Sequence, residues 1–414
     1  MHIHIIGGGI IGLCSAWYLK KAGCEVTIID RSDLSDGTSH GNAGMIVPSH
    51  FVPLAAPGVI SQGIKWMFQE KSPFYIRPRL NLQLAQWLWH FYRSCSKDKV
   101  QAAMPILFQF NEWSKELYRS FSKEEGFEFA YEEKGLLMLY KTAKAEEEEG
   151  ELAEQAHELG VKAEIISETE LKELEPGIRI EARGGILFPG DAHLYPNQFI
   201  ADLIKALKKE GVKFKMGHSV NGLTSTNEKI TQIQLDSGEE MRVDQLLLCS
   251  GSWTAKILKQ LGINMLLQDG RGYSFTLKNP QLRPGIPTIL SEAKVAVTPM
   301  GSDLRIGGSL ELSNLETKIN PKRLAGIYES MPRYYPDLSF ENPQLEEVWQ
   351  GYRPCTPDGM PYIDQSNELT NLTVATGHGM MGMSLGPATG KLVSEIMTKE
   401  KPSIDTRLFH LDRF

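Results

Sequence analysis

The sequence predicts an α/β fold of two domains, one led by a βαβ unit on a parallel sheet and the other an α+β domain built on an antiparallel sheet. Three observations predict it. The chain opens as strand, glycine turn, helix and strand: His2–Ile6, then Gly7-Gly8-Gly9-Ile10-Ile11-Gly12, then residues 13–22, then Glu25–Asp30. Alternating segments between residues 263 and 349, such as 294–298 and 304–307, suit strands with one buried face. At 414 residues, 41% hydrophobic and 23% charged, the chain is long and apolar enough for two or three packed units.

The remaining elements follow in order. Residues 31–63 are dense in Ser, Gly, Pro and Asn, and a stretch far longer than an ordinary connection predicts a ligand. Leu84, Trp87, Leu88 and Phe91, then Leu107, Phe110, Trp113, Leu117 and Phe121, recur at helical spacing, so two amphipathic helices span residues 82–121. Residues 135–140 read as a strand and 144–160 as a helix whose acid run, Glu146 to Glu149, is a solvated face. Residues 199–207 are helical, while Lys213–Met216 and residues 230–235 are strand-like. Residues 243–253 form a hydrophobic strand running into a glycine turn, which returns the chain to the first sheet, and 372–397 repeat strand, glycine turn, helix. The expected division puts residues 1–50, 145–260 and 345–414 in the first domain and 51–144 and 261–344 in the second.

Charge and cysteine usage exclude several classes. The 44 Lys and Arg against 51 Asp and Glu leave a net charge of −7, so no nucleic-acid partner is expected. The five cysteines, Cys14, Cys24, Cys95, Cys249 and Cys355, form no Cys-x-x-Cys pair. Neither a disulfide framework nor a metal site is expected, and a reducing, cytoplasmic setting fits. The first apolar run has no basic residue before it and passes into three glycines, unlike a secretory leader. No later run reaches the roughly 18 apolar residues of a spanning helix.

The glycine turn carries the first chemistry. Gly7, Gly9 and Gly12 follow a strand and open a helix, and Asp30 closes the next strand. The first glycine permits the tight turn, the second admits a pyrophosphate to the helix N-terminus, and the third lets helix and strand pack closely. Asp30 suits a ribose hydroxyl. This is a Rossmann-type dinucleotide site, and by itself it does not separate NAD from FAD.

Three further segments separate them. The loop Ser39-His40-Gly41-Asn42-Ala43-Gly44, the strand and turn from Leu246 to Trp253, and Gly377-His378-Gly379-Met380-Met381-Gly382-Met383-Ser384 resemble the FAD-dependent amine and D-amino-acid oxidoreductases. Asn42-Ala43-Gly44 before Pro53, Ile64-Lys65-Trp66-Met67-Phe68, Gly272-Tyr273, Arg305-Ile306-Gly307-Gly308 and Trp349-Gln350-Gly351-Tyr352-Arg353-Pro354 extend the likeness over nearly the whole chain, with bacterial D-amino-acid dehydrogenases the nearest in pattern. The resemblance implies an FAD-binding domain and a substrate domain. It implies FAD contacts from Gly7, Gly9, Ile10, Ile11, Gly12, Asp30, Arg31, Ser39, His40, Asn42, Ala43, Gly44, Gly251, Gly377, His378, Gly379, Met381, Gly382 and Met383.

Amino-acid oxidation needs the carboxylate clamped so that the Cα–H bond is aimed at flavin N5, and the planar fork of an arginine suits the task. Arg353 stands where the family places that arginine. Tyr273 is similar to the family's pocket-lining aromatic, though it also reads as an ordinary half-buried strand tyrosine. Arg305, His193, Tyr195 and His50 are weaker substrate-site candidates: Arg305 also reads as a sheet edge, and His193 with Tyr195 as a plain turn. For His378 the backbone matters more than the ring, because glycine turns bring N–H groups toward flavin oxygens. The position at which sarcosine-oxidase-like relatives tether flavin through a cysteine falls on Gly351, with Cys355 four residues further on, so non-covalent FAD is expected.

The leading expectation is oxidation of a D-amino acid, with His40-Gly41 also pointing to secondary amines such as D-proline or cis-4-hydroxy-D-proline. Electrons would pass to a quinone or redox protein. An oxidase of glycine or sarcosine that uses O2, and a non-catalytic FAD-binding subunit of a larger complex, stay open as alternatives. Trp66, Trp87 and Trp89 near Arg77, Arg79 and Arg93 are compatible with peripheral contact at the inner face of the cell membrane. Oligomeric state is not set by the sequence.

Overall fold

In the computed structural model, which describes residues 1–67, 69, 71–77, 79, 81–313, 315 and 318–414, strand β1 (His2–Ile6) lies inside a six-stranded sheet. It is parallel to both neighbours, β2 (Glu25–Asp30) and Gln245–Leu248. Lys213–Met216 and Leu372–Thr376 extend the sheet in parallel, and only Tyr362–Gln365, at one edge, runs antiparallel. Period-two alternation divides the faces. Ile3 and Ile5 pack against helix α1 (Ile10–Lys21), Pro196–Lys209 and the C-terminal helix Gly386–Thr398. Ile6 packs with Leu246, Leu248, Ile230 and Ile233 under a small antiparallel sheet formed by Val220–Thr226, Lys229–Leu235 and Glu240–Arg242. Gly390 brings the C-terminal helix onto α1: a Cβ there would stand 2.4 Å from the Cys14 carbonyl carbon.

The two amphipathic helices are α2 (Leu82–Ser94), whose Asn81 side chain accepts from the Gln83 and Leu84 N–H groups, and α3 (Lys97–Phe121). The apolar stripe of α3 joins the core around α1. Among the described residues the second sheet has nine strands. At one side β3 (Gln268–Leu277) lies antiparallel between β4 (Asp303–Leu312) and β5 (Trp349–Cys355). Val295–Met300, Thr288–Leu290, Leu136–Tyr140, Gly184–Phe188 and Glu164–Ser167 continue it. Most pairs are antiparallel, as expected, but Thr288–Leu290 runs parallel to Leu136–Tyr140, and Phe74–Ile76 runs parallel to β4.

Sheet membership divides the chain at other points than the expected boundaries. Glu164–Ser167, Gly184–Phe188 and Trp349–Cys355 belong to the second sheet although they fall in segments assigned to the first domain, and α3 packs with the first core although assigned to the second. The acid run also needs correction. Glu147 and Glu148 are exposed, but Glu149 is buried at 6% exposure, and desolvation raises its carboxyl above the usual range. Phe68, quoted in one of the family-like segments, lies outside the described residues.

Candidate active site

A cavity of about 1690 Å³ runs from the N-terminal glycine turn to the second sheet. That exceeds an ordinary small-molecule pocket of roughly 300–1,000 Å³ and leaves room for a dinucleotide together with a small substrate. At its first end the glycines divide their work. Gly7 has φ +108°, and a Cβ at Gly12 would lie 2.0 Å from the Gly7 carbonyl oxygen, so Gly12 serves packing and does not line the cavity. A Cβ at Gly9 would meet only Ser39 Oγ, at 3.5 Å, and would fill the open cradle above the α1 N-terminus. The Asp30 carboxylate accepts from the Gly8 N–H at 2.7 Å and from the Ser32 N–H and hydroxyl, both at 2.8 Å, which fixes the turn. Ser39 Oγ accepts the Ile10 N–H at 3.1 Å. Arg31 lies over the Trp253 ring, 3.8 Å from its centroid.

The middle of the cavity is walled by Ser39, His40, Asn42 and Ala43 on one side and by Gly251, His378, Gly379, Met381, Gly382 and Met383 on the other. Asn42 ties them together: its Oδ1 accepts the Gly44 N–H at 2.8 Å and its Nδ2 donates to the Met380 carbonyl at 3.3 Å. Gly44 and Gly377 lie behind the wall, where a Cβ would strike the Leu194 carbonyl oxygen at 2.2 Å and Thr356 Cγ2 at 2.5 Å. The His378 ring is turned away, bonded to Thr389 Oγ1 at 3.0 Å, and burial drives its pKa down to about 3. Among the described residues the N–H groups of Met380, Gly382 and Met383 have no protein acceptor. An open glycine cradle and unpaired donors fit the pyrophosphate and the polar edge of a flavin, so these residues would hold FAD.

The two arginine candidates separate here. Arg305 is 5% exposed and spends its guanidinium on protein: on the His40 carbonyl at 2.6 Å, the Asn42 carbonyl at 2.9 Å, and Asn197 Oδ1 and Thr276 Oγ1, both at 3.1 Å. It braces the loop behind the wall and does not reach the cavity, which corrects its expected substrate role. Arg353 does line the cavity. Its guanidinium lies against Gly272, where a Cβ would be 2.4 Å from Cζ, and its Nη1 donates to the Ser309 carbonyl. Among the described residues no carboxylate pairs with it, and desolvation lowers its pKa.

Tyr273 also needs correction. It forms part of the cavity wall, yet it is 1% exposed, its hydroxyl donates to Glu311 Oε1 at 2.8 Å, and the hydroxyl oxygen itself accepts the Asn320 N–H at 3.1 Å. Glu311 in turn pairs with Arg271 at 2.8 Å, so the hydroxyl belongs to a buried network and is not offered to a substrate. His193 and Tyr195 stand outside the cavity: His193 is buried against the Met45–Ile46 strand, and Tyr195 donates to Asp303 Oδ2 at 2.8 Å beside a separate surface cleft. His50 is in the cavity wall, held neutral by burial and by Lys294, with its pKa lowered to about 4.

Some site residues were missed. Ser309, with φ +65° and a buried hydroxyl that has no partner among the described residues, sits beside Arg353, and nothing in the local sequence signals its backbone. Trp87, expected at the surface, is 2% exposed and donates from Nε1 to the Cys355 carbonyl at 2.9 Å. Ile64, Trp89, Tyr92 and Leu82 form the exposed apolar surface instead, at 54%, 57%, 63% and 77% exposure, and Ile64 and Tyr92 also line the cavity. Cys355 does not line the cavity, and burial pushes its thiol up to about 12. Among the described residues no helix is long and apolar enough to cross a membrane.

Comparison with known proteins gives the family and the fold. Residues 2–396 match the family described as DAO, FAD dependent oxidoreductase. The chain is 30% identical over 412 residues to a D-amino acid dehydrogenase of Granulibacter bethesdensis, covering 98% of this chain and 97% of that protein. It is 31% identical over 414 residues to one of Methylobacterium nodulans, with the same coverage of 98% and 97%. Among solved structures, glycine oxidase from Geobacillus kaustophilus superposes with a TM-score of 0.78 at 20% identity, over 100% of this chain and 98% of that one. L-proline dehydrogenase from P. horikoshii gives 0.72 at 20% identity, over 100% and 97%. These two structural likenesses bear on the fold alone.

Proposed function

Because the chain belongs to the FAD-dependent oxidoreductase family and is an FAD enzyme, we propose that it oxidises a D-amino acid and passes the electrons to an acceptor other than oxygen. D-Proline and cis-4-hydroxy-D-proline are the first candidates. One observation carries the reading: Arg353 is a desolvated guanidinium on the cavity wall with a single protein acceptor and no carboxylate partner among the described residues. A cation left so calls for an anionic ligand.

FAD held there would supply a two-electron acceptor for the hydride of the substrate Cα. The chain supplies the placement. Arg353 binds the substrate carboxylate through its planar fork, while Gly272 beneath it leaves the guanidinium room to lie flat. Met45, Val47, Met138, Ile289 and Ala296 close the cavity with apolar surface and exclude water from the reacting bond. The placement of Cys355 outside the cavity supports non-covalent FAD. The names of the curated relatives support the D-configuration and the dehydrogenase class. The exposed patch of Ile64, Leu82, Trp89 and Tyr92 beside the cavity suits a lipophilic acceptor such as a quinone, reached by peripheral contact with a membrane.

Anaerobic bleaching of the bound flavin tests the proposal, with D-proline, cis-4-hydroxy-D-proline, D-alanine, sarcosine and glycine as amines and L-isomers as controls. Bleaching by a D-isomer that persists after air is admitted is the expected result. Rapid return of colour with hydrogen peroxide would make the protein an oxidase, and failure of every amine would leave a non-catalytic flavoprotein. Co-sedimentation with anionic phospholipid vesicles tests the membrane contact.

A further inference from the structure

We propose that His50, Ser49 and Asp191 form a proton relay that removes the amine proton of the substrate from the cavity. The inference rests on the amine-oxidation reading above. His50 Nδ1 lies 3.2 Å from Ser49 Oγ, which donates its proton to Asp191 Oδ2, and Asp191 Oδ1 accepts the Ser49 N–H at 3.1 Å. Ser49 and Asp191 are 3% and 1% exposed, and His50 is in the cavity wall. The Ser49 proton is committed to Asp191, so Oγ accepts from His50 Nδ1–H. That sets the tautomer. Nε2 then carries the lone pair, and among the described residues it has no hydrogen-bond partner.

The reaction needs such a group. An amino acid arrives as an ammonium ion, and its Cα hydride leaves only when the nitrogen lone pair is free to form the C=N bond. Arg353 and Lys294 are cations and accept nothing, and the hydroxyl of Tyr273 is committed to Glu311. His50 and Arg353 line the same cavity, and Lys294, the charge that faces His50, has its carbonyl 3.2 Å from the Cβ position of Gly308, next to Ser309. In the relay the N–H bond of the ammonium breaks and one forms at His50 Nε2. The Nδ1 proton passes to Ser49 Oγ, and the Ser49 proton passes to Asp191. One proton moves from substrate to carboxylate, and no electrons move. The same path returns it to water after the product leaves.

The surroundings favour that direction. Burial raises the Asp191 carboxyl to about 7, against the opposing hydrogen bonds from Ser49 and the charge of Lys115, which donates to the neighbouring Gly190 carbonyl at 3.0 Å, and with a small push from Glu112. His50 is held near 4, so a proton entering the chain comes to rest on Asp191. A relay of this kind is worth about 10²-fold or more in rate.

Limiting rates of anaerobic bleaching, measured from pH 6 to 10 with whichever of the five amines bleaches fastest, test it. In the unaltered protein the rate levels off near neutrality. In His50→Gln it falls about 100-fold at pH 7 and climbs tenfold per pH unit until the free amine predominates. Asp191→Asn and Ser49→Ala move the profile the same way by less, and Ser49→Ala carries the test if His50→Gln does not retain FAD. A parallel loss at every pH, or an unchanged profile, overturns the relay. If no amine bleaches the unaltered protein, the function reading falls first and takes the relay with it.

Discussion

Two strands of the nine-stranded sheet each carry a buried guanidinium, and the two meet opposite fates. Arg305, on β4, is surrounded by acceptors from the loop at His40 and Asn42, from Asn197 and from Thr276. Arg353, on β5 two strands away, has the Ser309 carbonyl and then the cavity. Burial and charge do not distinguish them, since desolvation lowers the pKa of both. Counting donors against acceptors does. A satisfied buried cation holds structure together, and an unsatisfied one at a cavity wall calls for an anionic ligand.

The largest effect that would break this comparison is on substrate affinity. Arg353→Leu should raise KM for the best amine by about 10³-fold, roughly 4 kcal/mol, while the flavin spectrum is retained. Arg353→Lys keeps the charge but not the fork and should recover only part of this. Arg305→Leu should instead cost about 3 kcal/mol of stability by stranding the His40 and Asn42 carbonyls, with weaker FAD retention and little change in KM for molecules that stay loaded. Equal KM changes in the two leucine variants, from steady-state kinetics beside denaturant melts, would erase the distinction.

Tyr273→Phe sharpens the same point at smaller scale. Removing a hydroxyl bonded to Glu311 and Asn320 should cost about 1–2 kcal/mol while KM moves by less than about threefold. A large KM change with unaltered stability would return Tyr273 to the substrate pocket. The smallest effect is one of pH. His378 is neutral when folded, with a pKa near 3 against an ordinary 6.5, so between these values the unfolded chain binds the extra proton. Its contribution is present above pH 6.5 and is lost as the pH falls. His4 and His193 act in the same sense, and Asp191, raised to about 7, acts in the opposite one. Melting temperatures from pH 4.5 to 7.5 should therefore fall less steeply on acidification in His378→Gln than in the unaltered protein.

Much of the dinucleotide end was legible in the sequence because its requirements are local. Gly7, Gly9, Gly12 and Asp30 lie within one βαβ unit, and their spacing dictates the turn, the cradle and the strand end that the structure shows. Helices α2 and α3 followed from apolar spacing for the same reason. The substrate end was read through likeness to a family, and there the side chains sorted unevenly. Arg353 and His50 reached the cavity, while Arg305, His193 and Tyr195 did not. Sheet membership departs from the expected segments because a strand's own sequence does not say which sheet it joins, as Gly184–Phe188 and Trp349–Cys355 illustrate.

The sequence by itself determined the order of elements, the nucleotide-binding turn and the choice of an arginine at position 353. Only the tertiary structure decided which buried groups are spoken for. Ser309 turns its carbonyl to Arg353 across 44 residues, and Ser49 meets Asp191 across 142, so no window of sequence contains both partners. A glycine's backbone freedom is a property of the residue, whereas a free donor is a property of everything packed around it, and packing is what the fold adds.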